Sequence, residues 1–198
     1  VVATDPIRPR VFMLRGPHAS LELIAVHLDT GATTTLASAP PFQYTPDVGS
    51  PISALPEVQF ASVADRLFVR RGAVGGAPEL VVIRGDTGAL VRSLPDPGAR
   101  PNGLSSLDGT HWLVDPGATR LFVHLGGRVD VRDADSGAVV GGTPVTVAPV
   151  GFGASPFISL MPDWTFERVL AFQGQPNNWM LSLVGGTGLL VGETLNRG

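Results

Sequence analysis

The sequence predicts an all-β chain in which one four-stranded unit occurs four times. The first observation behind this is turn chemistry at regular spacing. Asp29-Thr30-Gly31, Asp86-Thr87-Gly88, Asp135-Ser136-Gly137 and Gly186-Thr187-Gly188 end in glycines 57, 49 and 51 residues apart. The second is an Arg-led apolar segment upstream of each turn: Arg10-Val11-Phe12-Met13, Arg66-Leu67-Phe68-Val69, Arg120-Leu121-Phe122-Val123 and Arg168-Val169-Leu170-Ala171. The third is composition, with 25 Gly and 18 Pro among 198 residues and no segment of helical periodicity long enough to compete.

The unit is clearest over 111–142. Residues 111–114 form an apolar strand that ends in Asp115-Pro116-Gly117, and 120–123 form the second. Val129-Asp130-Val131-Arg132 alternates as a third, and residues 133–137 turn the chain into a fourth strand at Ala138. A period of roughly 40 to 50 residues with four short strands is the signature of a propeller blade, and such units bury their faces only by stacking. The phrase Leu113-Val114-Asp115-Pro116-Gly117, then Arg120-Leu121-Phe122-Val123, then Asp135-Ser136-Gly137, resembles the YVTN/NHL-like (quinoprotein-like) β-propeller repeats. The resemblance implies a β-propeller or part-propeller, four blades of four antiparallel strands, over nearly the whole chain. WD40-like and kelch patterns fit less well, since no Trp-Asp pair closes a blade and the Gly-Gly pairs lack their following aromatics.

In chain order, blade one covers about 1–39, with strands at 1–3, 11–15, 21–28 and 33–36 and a turn at Asp5-Pro6. A Pro-rich connection at 39–56 holds Phe42, Tyr44 and Asp47, and patternless loops of that length are usually functional or disordered. Blade two covers 57–95, with a Gly-rich hairpin at 71–76. A second connector, 95–110, carries Arg100, Asn102 and Asp108. Blade three covers 110–143 and blade four 157–195, with strands expected at 158–161, 168–172, 179–184 and 189–193 and a link at 143–157 between the two blades. Up-and-down strands sort these connections. First-to-second and third-to-fourth turns share one end of each blade and are short; the long, variable connections share the other end. Function on loops held by a rigid scaffold belongs at that other end.

Composition narrows the partners. A net charge of −3 argues against a nucleic-acid surface. All 14 basic residues are Arg, which reads either as bidentate anion recognition or as compositional bias alongside abundant Ala, Gly, Pro and Val. Cys is absent, so neither disulfide nor thiolate metal site is available. No 18-residue apolar span exists, so no membrane insertion is expected. The chain begins at Val1 without a basic or apolar leader, which reads as a processed secreted or periplasmic protein or as a piece of something longer.

The residues read for ligand binding are Tyr44, Asp47, Arg100, Asn102, His111, Trp112 and Phe157, all at or near the loop-rich end. His111 opens an inner strand there, whereas His18, His27 and His124 read as surface or packed imidazoles. Trp112, Trp164 and Trp179 read either as ligand-stacking aromatics or as packing between blades. Asp130, Asp133 and Asp135 look like a calcium loop, but the spacing of an EF-hand is not met, and no metal or cofactor is expected. Gly185-Gly186-Thr187-Gly188 has a phosphate loop's composition without its Lys or following helix, and no Gly-x-Ser-x-Gly elbow anchors a triad. The sequence therefore reads as an interaction module for a protein or small ligand, its propeller completed by a protein partner, a second copy or the rest of a longer parent chain, with a closed four-blade monomer as the alternative to completion. The alternative is an enzyme, a lactonase-like hydrolase or quinoprotein-type oxidoreductase, with its site at the channel mouth.

Overall fold

A computed structural model describes residues 2–16, 21–38, 58–71, 79–96, 111–124, 128–144, 157–162, 168–175 and 178–197. Sixteen strands form four separate four-stranded sheets, each antiparallel in sequence order. The first holds β1 (Ala3–Asp5), β2 (Arg10–Arg15), β3 (Glu22–His27) and β4 (Thr33–Ser38), and the second β5 (Val58–Ala61), β6 (Arg66–Arg71), β7 (Glu79–Arg84) and β8 (Leu90–Pro95). The third holds β9 (His111–Val114), β10 (Arg120–His124), β11 (Arg128–Asp133) and β12 (Val139–Pro144). The fourth holds β13 (Phe157–Pro162), β14 (Arg168–Gln175), β15 (Asn178–Gly185) and β16 (Leu190–Arg197). Among the described residues no helix is long and apolar enough to cross a membrane.

Most strand ends differ by one to four residues from the sequence reading, and two of the shifts show their cause. The first strand is Ala3–Asp5 rather than 1–3, because Asp5 is the last rung of the ladder, opposite Arg10. The last strand runs on to Arg197, paired rung by rung with β15 as far as Asn178. Period-2 alternation is also weaker than the sequence suggests. In β7 and β10 four successive residues are buried, because these middle strands are covered on both faces.

The repeated turn has a repeated physical cause. The glycine amide closes a five-residue loop back to the strand end in three copies: Gly31 to the His27 carbonyl, Gly88 to Arg84 and Gly137 to Asp133, at 2.8, 2.9 and 2.8 Å. The hydroxyl before each glycine accepts the amide two residues on, Ala32 to Thr30, Ala89 to Thr87 and Ala138 to Ser136. That division of labour explains the repeated Thr/Ser-Gly pair. In the fourth copy Gly188 bonds instead to Gly185, closing the loop one residue tighter.

The chain divides into two compact units, each described by itself. The first contains sheets one and two, whose shared core joins Phe12, Leu23 and Leu36 to Leu67, Val69 and Ile83. The second contains sheets three and four, where Phe122, Val129 and Val131 pack with Val169 and Val184.

A buried polar tie reinforces the first unit. Arg10, 3% exposed, donates from Nε to Asp5 Oδ2 at 2.8 Å and from Nη1 to the Gly85 carbonyl at 2.8 Å, and its Nη2 meets Asp65 Oδ1. The guanidinium lies over the rings of Phe12 and Phe60, 5.2 and 5.7 Å from their centroids. Asp65 adopts a left-handed φ of 53°, and Gly85 leaves room for its carboxylate, since a Cβ there would fall 2.3 Å from Oδ1. Burial disfavours ionisation of Asp5. The amide of Ile7, the Arg10 guanidinium and the amide of Arg8 outweigh it, holding the carboxyl below its ordinary value of 3.8. The third sheet repeats the motif in part. Asp115 Oδ1 accepts the amides of Thr119 and Arg120, and Arg120 Nε reaches Asp115 Oδ2 at 3.3 Å.

Two outcomes follow. Gly88 and Gly31 share left-handed backbone (φ +70° and +68°), but a Cβ on Gly88 would meet the Leu36 carbonyl oxygen at 1.9 Å, while one on Gly31 meets nothing within 4 Å. Gly31→Ala should therefore cost only the conformational term, about 1–2 kcal/mol. Gly88→Ala should cost at least about 2 kcal/mol more in urea unfolding at low chain concentration, through the contact with Leu36; equal losses would show that the turn does not bear on that strand. For Asp5, a folded value below the unfolded one stabilises the fold above the unfolded value and loses that stabilisation as pH falls through the folded value. At neutral pH the unfolding free energy of wild type should exceed that of Asp5→Asn by about 3 kcal/mol, the loss typical of a broken buried pair. The margin should narrow below about pH 4; a margin independent of pH would contradict the tie.

Candidate functional site

Strand bounds and sheet order sort the connections as the sequence predicts. First-to-second and third-to-fourth connections run four or five residues each. At the opposite end of the sheets lie 16–21, 39–57, 72–78, 96–110, 125–127, 145–156 and 176–177. Tyr44, Asp47, Arg100 and Asn102 belong to these stretches and lie outside the described residues, as do His18, Trp164, most of the hairpin expected at 71–76 and most of the link at 143–157. His111 and Phe157 are described by backbone alone, each as the first residue of an inner strand at this end.

The described side chains at this end are mainly Arg–carboxylate pairs. In the first unit Arg15 donates to Glu22 Oε2 from Nε and Nη2 at 3.0 and 2.6 Å, in an exposed pair between β2 and β3. Arg70 Nε donates to Asp96 Oδ2 at 2.8 Å, and that carboxylate is only 1% exposed. In the second unit Arg128 Nε meets Asp130 Oδ1, and Arg132 Nη2 stands 3.7 Å from Oδ2. His124 is fully buried and pairs in register with His111. Trp112 on the same inner strand is 2% exposed, and its indole Nε1 has no hydrogen-bond partner among the described residues. Of the two roles read for this Trp, packing is the one that burial fits.

The sequence reading did not identify the Arg70–Asp96 and Arg128–Asp130 pairs. The second has a local signal, Arg-x-Asp on one face of a strand. The first has none, because its partners stand 26 positions apart. The acids that look like a calcium loop have other work. Asp133 Oδ1 accepts the amides of Asp135 and Ser136 at 3.1 and 2.7 Å and the Ser136 hydroxyl at 2.7 Å, so it shapes the turn. Among the described residues no three His, Asp or Glu side chains converge on a point that could hold a metal ion.

The turn end is as densely paired, through Arg10 with Asp5 and Asp65 and through Arg120 with Asp115. Its exposed Arg84–Asp86 pair holds the Asp86 carboxyl down at about 2, chiefly through the hydrogen bond from Arg84. Among the described residues, the charged side chains at both ends stand mostly in Arg–carboxylate pairs.

No family model matches the chain, and no curated protein does. Solved structures do. The chain is similar to one in a nidogen/laminin complex, with a TM-score of 0.57 and 12% identity over 98% of this chain and 62% of that one. A chain of a mitotic checkpoint complex gives 0.52 and 12% over 92% and 48%, and apo AztD from Citrobacter koseri gives 0.50 and 13% over 91% and 45%. These neighbours are β-propellers, and the chain spans about half the length of most of them. At such identities the likeness concerns fold alone, and the fold is that of the β-propeller, built from four four-stranded blades.

Proposed function

We propose that the chain is a β-propeller interaction module of the YVTN/NHL-like kind, which binds a protein or small ligand at its loop-rich end and works in an assembly. The observation that carries this is the asymmetry between the ends of each blade: uniform turns of four or five residues at one, connections as long as 39–57 and 96–110 at the other. Two similar solved chains come from complexes, the nidogen/laminin and mitotic checkpoint assemblies, which supports a role among protein partners. On this reading Tyr44, Asp47, Arg100, Asn102, His111 and Phe157 contact the ligand, with Trp112 behind them. The partner is a protein that completes the propeller.

A photo-crosslinking residue placed at Asp47 or Asn102 should capture the partner, while one at Asp86 or Asp135 should not. Against the captured partner, alanine at Tyr44, Arg100 or His111 should weaken binding by roughly thirtyfold or more, the loss that marks an interface hot spot, with little change in thermal midpoint. Capture through the Asp86 and Asp135 turns instead would reverse the assignment. A stoichiometric divalent ion in the purified chain would favour the enzyme.

A further inference from the structure

The second sheet carries an ion pair that the repeat does not require. One rung runs from Arg70 on β6 through Leu80 on β7 to Leu94 on β8. Residues opposite one another in antiparallel strands share a face, and so do residues two apart along one strand. Asp96 stands two residues beyond Leu94, so the Arg70 side chain crosses β7 and donates from Nε to Asp96 Oδ2 at 2.8 Å. Both partners belong to the first unit. Blade one has the same rung without the pair. Leu14, four residues after the Arg that opens β2, stands in register with Leu23, and Leu23 with Ala37. In the sequence Ala39-Pro40 then takes the place of Asp96-Pro97.

A blade therefore forms with apolar side chains at these positions. Wet or dry, an ion pair adds little net stability over well-packed apolar groups, and what it does add is a fixed geometry. The geometry fixed here is the point at which the chain leaves the sheet. β8 ends at Pro95, and Asp96 opens the connector 96–110. Leu94 and Asp96 each precede a proline, which steers both to extended backbone, and Pro95 has its own φ locked. The exit is stiff by sequence, and the guanidinium pins its tip. Arg100 and Asn102 follow Asp96 by four and six residues, lengths of chain that reach at most about 14 and 21 Å.

We propose that Arg70 and Asp96 are positioning residues of the loop-rich end: the pair holds the root of connector 96–110 and so sets where Arg100 and Asn102 meet a ligand. The proposal rests on the interaction-module reading and adds to it two residues that act through the connector rather than on the ligand. Holding the root before binding removes part of the ordering cost that a loose connector would pay on association. The pair is thus a device for affinity at one connector, placed where blade one uses leucine and alanine.

The chain has no Cys, so cysteines placed at Thr33 on β4 and at Asn102 carry spin labels at those two positions alone. In wild type the interspin distances should form one narrow population. Arg70→Leu combined with Asp96→Ala copies the rung of blade one. It should broaden that population about twofold, since six free residues scatter their end over about 13 Å. The same double variant should keep the urea midpoint of wild type, and the distance from Thr33 to a label at Asp47 should keep its width. Capture by the photo-crosslinking residue at Asn102 should fall about tenfold, the loss expected when two side chains must be ordered anew. An unchanged width at Asn102, equal broadening at Asp47, or capture undiminished by a broadened population would each overturn the proposal. If the population broadens but Asn102 captures nothing even in wild type, the module reading fails and the positioning role of the pair stands. Should the double variant not fold, Arg70→Lys, which keeps the charge and loses the Nε donor, makes the same comparison.

Discussion

The first unit depends on a guanidinium that has been taken out of water. Arg10 is almost fully enclosed, and its donors are spent on Asp5 in its own sheet and on Asp65 and the Gly85 carbonyl in the next. A charge in that position is costly unless every partner is in place, so the tie acts as a condition on geometry more than as a source of net stability. It requires the β1–β2, β5–β6 and β7–β8 turns to arrive together. Phe12 and Phe60, with ring centroids 4.7 Å apart, then fill the space beneath the cation. The order of the turn end follows from these demands, and the other end is left to vary.

The same logic separates scaffold from site. Short turns are fixed twice over, by their own glycine and hydroxyl bonds and by bonds to the neighbouring turn. Leu28 donates to the Pro9 carbonyl, Gly85 to Asp65 and Ala134 to Thr119, equivalent bonds in three sheets at 2.6, 2.9 and 3.0 Å. The sequence of connections such as 39–57 carries no such repeat, and loops on a rigid frame are the usual place for a binding surface.

Much of this frame was legible in the sequence because its causes are local. Asp-Thr-Gly, the Arg that opens each second strand, and the strand lengths between them all act within one hairpin. The partnership of Arg10 with Asp5 was missed in the sequence reading, although the Asp five residues before the Arg recurs as Asp115 and Arg120. The second sheet breaks the rule with a buried Ala61, and Asp65 serves Arg10 of the first sheet instead. Nothing local shows which blade an aspartate serves. The Arg70–Asp96 pair was hidden for the same reason. The candidate site was legible only as an end of the blades, since connections without periodicity report where function can reside and not which side chains meet there.

The account's central claim is that Arg10 couples two sheets, and a double-mutant cycle tests it most directly. Arg10→Met, Asp65→Ala and the double variant would be unfolded in urea at neutral pH beside wild type. Side chains that share a buried ion pair show interaction energies of about 0.5–3 kcal/mol, and a value of at least about 1.5 kcal/mol is expected here. Additive losses, with the double variant as unstable as the two single changes combined, would contradict the account.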